Sequence, residues 1–195
     1  MIKSKVDLIS YIHQDRIMNG QKDSTLLFKL KFLFFPNPII KYLYYLRKAE
    51  YYTNVKSPFN QLFKYYYLMR IRKLGLKTGF SIPINVFGPG LALPHIGPVI
   101  VNRNASIGKN CRLHVCTNIG ASGGNKEAPC IGDNVYIGPS AVLFGGIHIG
   151  NNVTIGANAT VNRSFSNENV VIAGTPAKVV KENYPNWVEF NKLLC

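Results

Sequence analysis

Residues 131–166 read IGDNVY IGPSAV LFGGIH IGNNVT IGANAT VNRSFS, six residues at a time, and this register decides the fold. The first place of every hexapeptide is Ile, Leu or Val; the second is often Gly or Asn, and the fifth is mostly small or β-branched. The same register runs back through VNRNAS (101–106), IGKNCR (107–112), LHVCTN (113–118) and IGASGG (119–124), with an interruption before Ile131. An aliphatic side chain every six residues cannot line a helix, whose faces recur about every 3.6 residues, and it is not the alternation of a half-buried strand. It suits short strands joined by tight turns, with the aliphatic residue pointing inward at each pass and Gly or Asn accepting left-handed backbone angles. Units of this kind stack, each coil burying its neighbour's apolar face. A β-solenoid follows from the period alone; its handedness does not.

The flanks have a different character. Residues 1–78 carry 15 Lys/Arg against 4 Asp/Glu, and 15 of the 23 aromatic residues, whereas residues 79–195 carry 8 Lys/Arg against 5 Asp/Glu. The formal net charge of +14 is therefore mostly a property of the front segment. That segment reads as helices: Ser4 with Asp7 forms a capping box, Pro36 and Pro38 break the chain, Ser57–Pro58 is a start signal and Gly75 a stop. Behind the solenoid, Pro185 and NWVEFNKLL (186–194) predict a short helix laid against the last coil, capping an open edge. The expected organisation is a basic, aromatic-rich helical region over 1–78, a solenoid over 79–180 and a helical cap over 181–195, mainly β as a whole.

A chain of 195 residues with 47% hydrophobic content has enough apolar side chain for a real core. No apolar run reaches the ~18 residues of a spanning helix, and MIKSKVDLIS lacks a signal-peptide core, so a cytoplasmic protein is expected. Cys111, Cys116, Cys130 and Cys195 show no CxxC spacing; they read as reduced, mostly structural thiols, with Cys111 in a slot for small buried side chains. No nucleic-acid-binding motif accompanies the basic segment. Its aromatic residues at helical spacing predict packing against the rest of the protein, and the sharper alternative is peripheral contact with the anionic inner face of a membrane.

The hexapeptides, GPGLALPHIGPVIV (88–101), the loop-containing stretch GASGGNKEAPCIGDNVYIGPSAVLFGGIHIG (120–150) and the ending VVIAGTPAKVV (170–180) occur in an order that resembles the hexapeptide-repeat acyltransferases, most closely their serine O-acetyltransferase-like branch. The resemblance covers about residues 80–180. It implies a left-handed parallel β-helix with three hexapeptides per coil, assembled as a homotrimer, and acetyl-CoA as the donor in the groove between neighbouring solenoids. It implies no metal.

His95 stands at the third place of its hexapeptide, which points outward, so it is not a core filler. The resemblance makes it the catalytic histidine, since the family's histidine also follows a Gly-x-Gly and a leucine. A neutral imidazole there can take the proton of an attacking hydroxyl, a general-base effect worth about 10²–10⁴-fold. The family's orienting acid is absent, because no Asp or Glu occurs between residues 51 and 126. Asn85 is a candidate to orient the ring instead, and His114, one coil further on, a candidate to border the site. For the donor, the resemblance points to Gly120, Ser122, Gly123, Gly124 and Lys126 in the loop, to Gly138 and Gly156, and to Gly174, Thr175 and Lys178 near the CoA phosphates.

The acceptor is expected to be a small molecule or a glycan. Serine enzymes of the family read LDH where this chain reads LPH (93–95), and carry an Arg-His pair where it has Glu127 and Ala128. The loss of those charge clamps predicts a sugar hydroxyl, in surface polysaccharide synthesis, over serine. Serine O-acetylation is the alternative, and a non-catalytic trimeric scaffold the alternative of another class. A zinc site built from His95, His114 and His148 would need spacing that the repeat does not offer.

Overall fold

Ile131, Ile137, Leu143, Ile149, Ile155 and Val161, the first residues of six successive hexapeptides, are each 2% exposed or less. At the fifth places, Ala105, Cys111, Thr117, Val135, Ala141, Val153 and Ala159 are buried beside them. The computed structural model, which describes residues 1–21, 37–57 and 59–193, places these side chains inside a three-faced parallel β-helix. Face one holds β1 (Phe80–Ser81), β2 (Val99–Val101), β5 (Thr117–Gly120), β8 (Val142–Phe144) and β11 (Thr160–Val161). Face two holds β3 (Ser106–Ile107), β6 (Cys130–Ile131) and β9 (His148–Ile149). Face three holds β4 (Arg112–Leu113), β7 (Tyr136–Ile137), β10 (Thr154–Ile155), β12 (Val171–Ala173) and β13 (Lys178–Lys181).

Register follows the sequence period. Val99 pairs with Thr117, Tyr136 with Thr154 and Cys130 with His148, one coil of 18 residues apart. Arg112 pairs with Tyr136 at 24, because the stretch 121–129 is looped out of one corner. Each coil turns three corners: first from face one to face two, second from two to three, third from three to one. The second is held by left-handed residues, Asn110, Asn134, Asn152 and Asn169, with φ between 55° and 59°. At the third, Cys116, Ser140 and Asn158 do the same at 57–60°. Asparagine tolerates this conformation because its short side chain bonds locally.

Three helices precede the solenoid: α1 (Lys5–Met18), α2 (Pro38–Asn54) and α3 (Asn60–Thr78). The Ser4–Asp7 capping box opens α1 as expected, and Asn37 caps α2 ahead of Pro38. Two signals misplace α3. It starts at Asn60 rather than at Ser57, with Pro58 outside the described residues, as Pro36 is. It also runs through Gly75 and stops at Gly79, which takes the left-handed φ of 82°. Gly75 is there for packing: a Cβ would sit 2.5 Å from the Phe80 carbonyl oxygen.

Tyr42, Leu43 and Leu46 of α2 join the same apolar core as Phe80, Leu91 and Leu93 of the first coil. The buried Arg47 fixes that contact. Its guanidinium meets Asp15 of α1 at 2.7 and 3.1 Å and Glu50 at 3.0 Å, and donates to the carbonyls of Phe87 and Gly88 at 2.9 and 2.7 Å. Asp15 in turn accepts from the amides of Gly90 and Leu91 at 2.7 and 2.9 Å, and Glu50 from Asn85 at 2.8 Å.

The C-terminal helix α4 (Trp187–Leu193) departs from expectation. The edge after the last coil is covered by β13, antiparallel to β12. The helix doubles back along the second corner, where Trp187 Nε1 donates to the Asn110 carbonyl at 2.9 Å and Asn186 reaches Asn152 at 3.2 Å. Among the thiols, burial pushes Cys111 up to about 12, but Cys116 and Cys130 are exposed, so only the first is a structural thiol; Cys195 lies outside the described residues.

Replacing Arg47 by Met leaves two buried carboxylates without their counter-ion, which costs about 3–5 kcal/mol. We expect a correspondingly lower urea midpoint with an unchanged denaturant slope; an unaltered midpoint would contradict the anchoring role.

Candidate active site

Leu93 is buried on face three, where Ala92 bridges to Arg112 of the next coil, and the chain then turns the third corner through Pro94 and the exposed His95. One coil on, β4 ends at Leu113 and His114 enters the same corner. Val99 and Ile100, which look like two extra residues in the repeat, are the β2 strand itself; the corner between Ala92 and Val99 is the longer one, and the register carries both histidines to one edge. Their ring centroids lie 6.1 Å apart, tilted by 55°. His114 is half-buried and packs 5.0 Å from the Tyr136 ring of the third coil. Burial, then the positive charge of Arg112, then His95 hold its imidazole below the usual histidine range. His114 is therefore neutral at neutral pH beside an outward-facing His95. Its Nε2, and Nε of Arg112, are buried without a hydrogen-bond partner among the described residues. Arg112 itself lies over the Trp187 ring at 5.5 Å.

The third corner continues past the histidines through Gly138, Gly156 and Gly174 to Thr175. A Cβ on Gly138 would lie 2.7 Å from the Ala157 nitrogen, and one on Gly156 2.9 Å from Ala173 Cβ, so both glycines let coils approach. Thr175 Oγ1 is 3.2 Å from Thr160 Oγ1 and from the Asn158 carbonyl. Lys178 is exposed on β13.

The remaining candidates sit elsewhere. Gly120 ends β5, and Ser122, Gly123, Gly124 and Lys126 belong to the loop at the first corner, across face one from His95. A Cβ on Gly123 or Gly124 would meet nothing within 4 Å, so this backbone stands open. The Asn125 amide donates to the Ser122 carbonyl at 3.0 Å, and Asn104 holds the Lys126 carbonyl at 2.8 Å. Beside the loop, a cleft of about 500 Å³ is lined by Asn104, Lys126, Glu127, Ala128, Cys130 and His148. His148 is on face two, away from the other two histidines, and among the described residues no group of three His, Cys, Asp or Glu could hold a metal ion.

Asn85 does not orient His95 within the chain. It lies at the first corner, its amide paired head to head with Asn54 at 2.8 and 3.0 Å. Arg112 and Tyr136, which flank His114, were not among the expected site residues. The signal for them is the pairing of Arg112 with Tyr136, which a 24-residue step across the loop makes legible.

The bacterial transferase hexapeptide family, described as six repeats, matches residues 131–163. Serine acetyltransferase of Mycobacterium tuberculosis is 34% identical over 112 residues, covering 56% of this chain and 48% of that protein. That of Staphylococcus aureus is 35% identical over 109 residues, 54% of this chain and 51% of the relative. The solenoid is thus similar to the hexapeptide-repeat transferases, and to the serine acetyltransferases among them. The chain spans about half the length of these relatives. Among solved structures, soybean serine acetyltransferase complexed with serine superposes with a TM-score of 0.71 at 23% identity, over 90% of this chain and 70% of that one. The Brucella abortus serine acetyltransferase gives 0.66 at 21%, over 91% and 70%. The serine acetyltransferase-like solenoid is thus a left-handed parallel β-helix, and the likeness extends over the helical front segment.

Since folding lowers the proton affinity of His114, the unfolded chain binds the proton more readily. The contribution to stability is then full above the ordinary imidazole value of 6.5 and is lost as the pH falls from there through the lower folded value. We expect His114→Gln to lose less melting temperature than the parent protein between about pH 7.5 and about pH 5.5. An identical loss in both would contradict the environment described for His114.

Proposed function

We propose that the protein is an acetyl-CoA-dependent O-acetyltransferase with His95 as general base. The observation that carries the reading is an exposed His95, set at a solenoid corner beside a half-buried neutral His114, in a chain whose relatives are named serine acetyltransferases. His95 takes the hydroxyl proton as the oxygen attacks the thioester carbon, and the imidazolium returns it to the departing thiolate. An NH of the surrounding backbone holds the oxyanion. No covalent acetyl-enzyme is needed. We expect His95→Ala to lower acetyl transfer about 10²–10⁴-fold with acetyl-CoA binding retained. A nearly fully active variant would remove the assignment, and a protein with no saturable acetyl-CoA binding would be a scaffold.

The loop at the first corner and His95 at the third lie at opposite edges of face one. A site that joins His95 of one solenoid to the loop of its neighbour is the arrangement of a homotrimer. Co-expressing His95→Ala with a loop variant such as Gly124→Val, each inactive alone, is expected to restore part of the activity in mixed trimers. Absence of any complementation would place the whole site within one chain.

The relatives favour serine as the acceptor and give no support to a polysaccharide role. Lys126 and Glu127 in the one cleft supply a cation and an anion for a zwitterionic amino acid, in place of the clamps lost at Pro94 and Ala128. A sugar hydroxyl is the second reading, favoured by that same loss. Following thiol release from acetyl-CoA separates them: turnover with serine, with KM raised in Lys126→Ala, supports the first, and turnover with sugars alone the second.

A further inference from the structure

Along α3, Leu62, Tyr66, Met69, Lys73 and Leu76 recur at alternating steps of four and three residues, which puts them on one helical stripe. The stripe faces outward: Leu62 is 75%, Met69 64% and Leu76 84% exposed, with Phe59 and Tyr65 also open at its margins. The opposite face is spent on α2, through Tyr52 stacked on Phe63 at 5.1 Å and on Tyr67 at 5.5 Å, and Arg70 bonded to the Tyr45 hydroxyl at 3.0 Å. Lys64, Arg70, Arg72, Lys73 and Lys77 make the helix strongly cationic, and it has no Asp or Glu.

We propose that the outward face of α3 docks on an anionic lipid surface. Three observations choose this occupant. A second copy of the face would oppose cations to cations with no carboxylate between residues 51 and 126 to relieve them. A nucleic acid would satisfy the cations and leave Leu62, Met69 and Leu76 in water. An anionic bilayer takes both, the cations meeting headgroups and the apolar and aromatic side chains entering the interface. No helix among the described residues is long and apolar enough to cross a membrane, so the helix lies along the surface. The last turn of α3 adjoins the catalytic candidate, since the Gly97 amide donates to the Thr78 carbonyl at 3.0 Å and the Val99 amide to that of Gly79 at 3.0 Å. Docking would hold the His95 corner near the surface.

The test is flotation of the full-length protein with vesicles of neutral phosphatidylcholine, alone or with about one third anionic phosphatidylglycerol. It uses the parent and two variants, Arg72→Gln/Lys73→Gln/Lys77→Gln and Leu62→Ser/Met69→Ser/Leu76→Ser. The parent is expected to float with anionic vesicles only and to come off as salt rises from about 50 mM to about 500 mM. Each surface cation strengthens partitioning about fivefold, so the charge variant should bind about 100-fold more weakly. The apolar variant should bind more weakly with an unchanged melting temperature. No flotation of the parent at low salt overturns the proposal, as does flotation undiminished in both variants. A lower melting temperature in the apolar variant would mean that the face is covered from within the chain. Parent self-association abolished by the variants without flotation would give the face to a second copy, and retention of a duplex oligonucleotide without flotation would give it to nucleic acid.

Discussion

Asn110, Asn134 and Asn152 turn the second corner in successive coils, each with a left-handed backbone, and each passes its side-chain amide to the next at 2.8 and 2.9 Å. The ladder ends in Gln14 of α1, whose amide reaches Asn110 at 2.9 Å, and in Asn186 before α4. Most side chains would add about 1–2 kcal/mol of strain at such a turn. Asparagine offsets it with a hydrogen bond worth about 0.5–1.5 kcal/mol at a partly buried site. The corner thus lets the chain bend at the same place once in every coil and keeps each coil directly over the last. All else rests on that alignment: aliphatic side chains stack only if coils do not drift, and His95 and His114 meet only because the third corner repeats in step.

The Arg47 network extends the same order to the helices. Taking one cation and two carboxylates out of water is costly, and only complete partnering makes it tolerable. Here every charged oxygen and guanidinium edge named above has a short contact. The network clamps the backbone of residues 87–91, the turn that leads into Leu93 and His95. A salt bridge of low net value for stability therefore has a positional effect, because it fixes the entry of the coil on which the candidate catalytic group is mounted.

Period and small-residue placement were legible in the sequence because they follow from local geometry: one inward side chain per face, and Gly or Asn where φ is positive. His95 and His114 could be brought to one corner by counting residues. The misreadings share a cause, which is contact between parts of the chain distant in sequence. Gly75 looks like a helix stop, yet it is fixed by the approach of Phe80. The tail looks like a cap, yet Trp187 finds Asn110 and Arg112 three coils back from the last. Asn85 lies a plausible distance from His95 along the chain, yet the triangle separates them by a corner and Asn54 takes its amide. The buried triad of Asp15, Arg47 and Glu50 gives no periodic signal at all.

The lack of any Asp or Glu between residues 51 and 126 bears on the electrostatics of the proposed site. Arg112 lies one residue pair from His114, and its charge already suppresses protonation there. Such surroundings favour negative charge, the charge that develops on a carbonyl oxygen and a leaving thiolate. In the proposed reaction that positive potential acts on the oxyanion of the transition state. The source of that potential is Arg112, while the neutral His114 beside His95 adds no charge of its own.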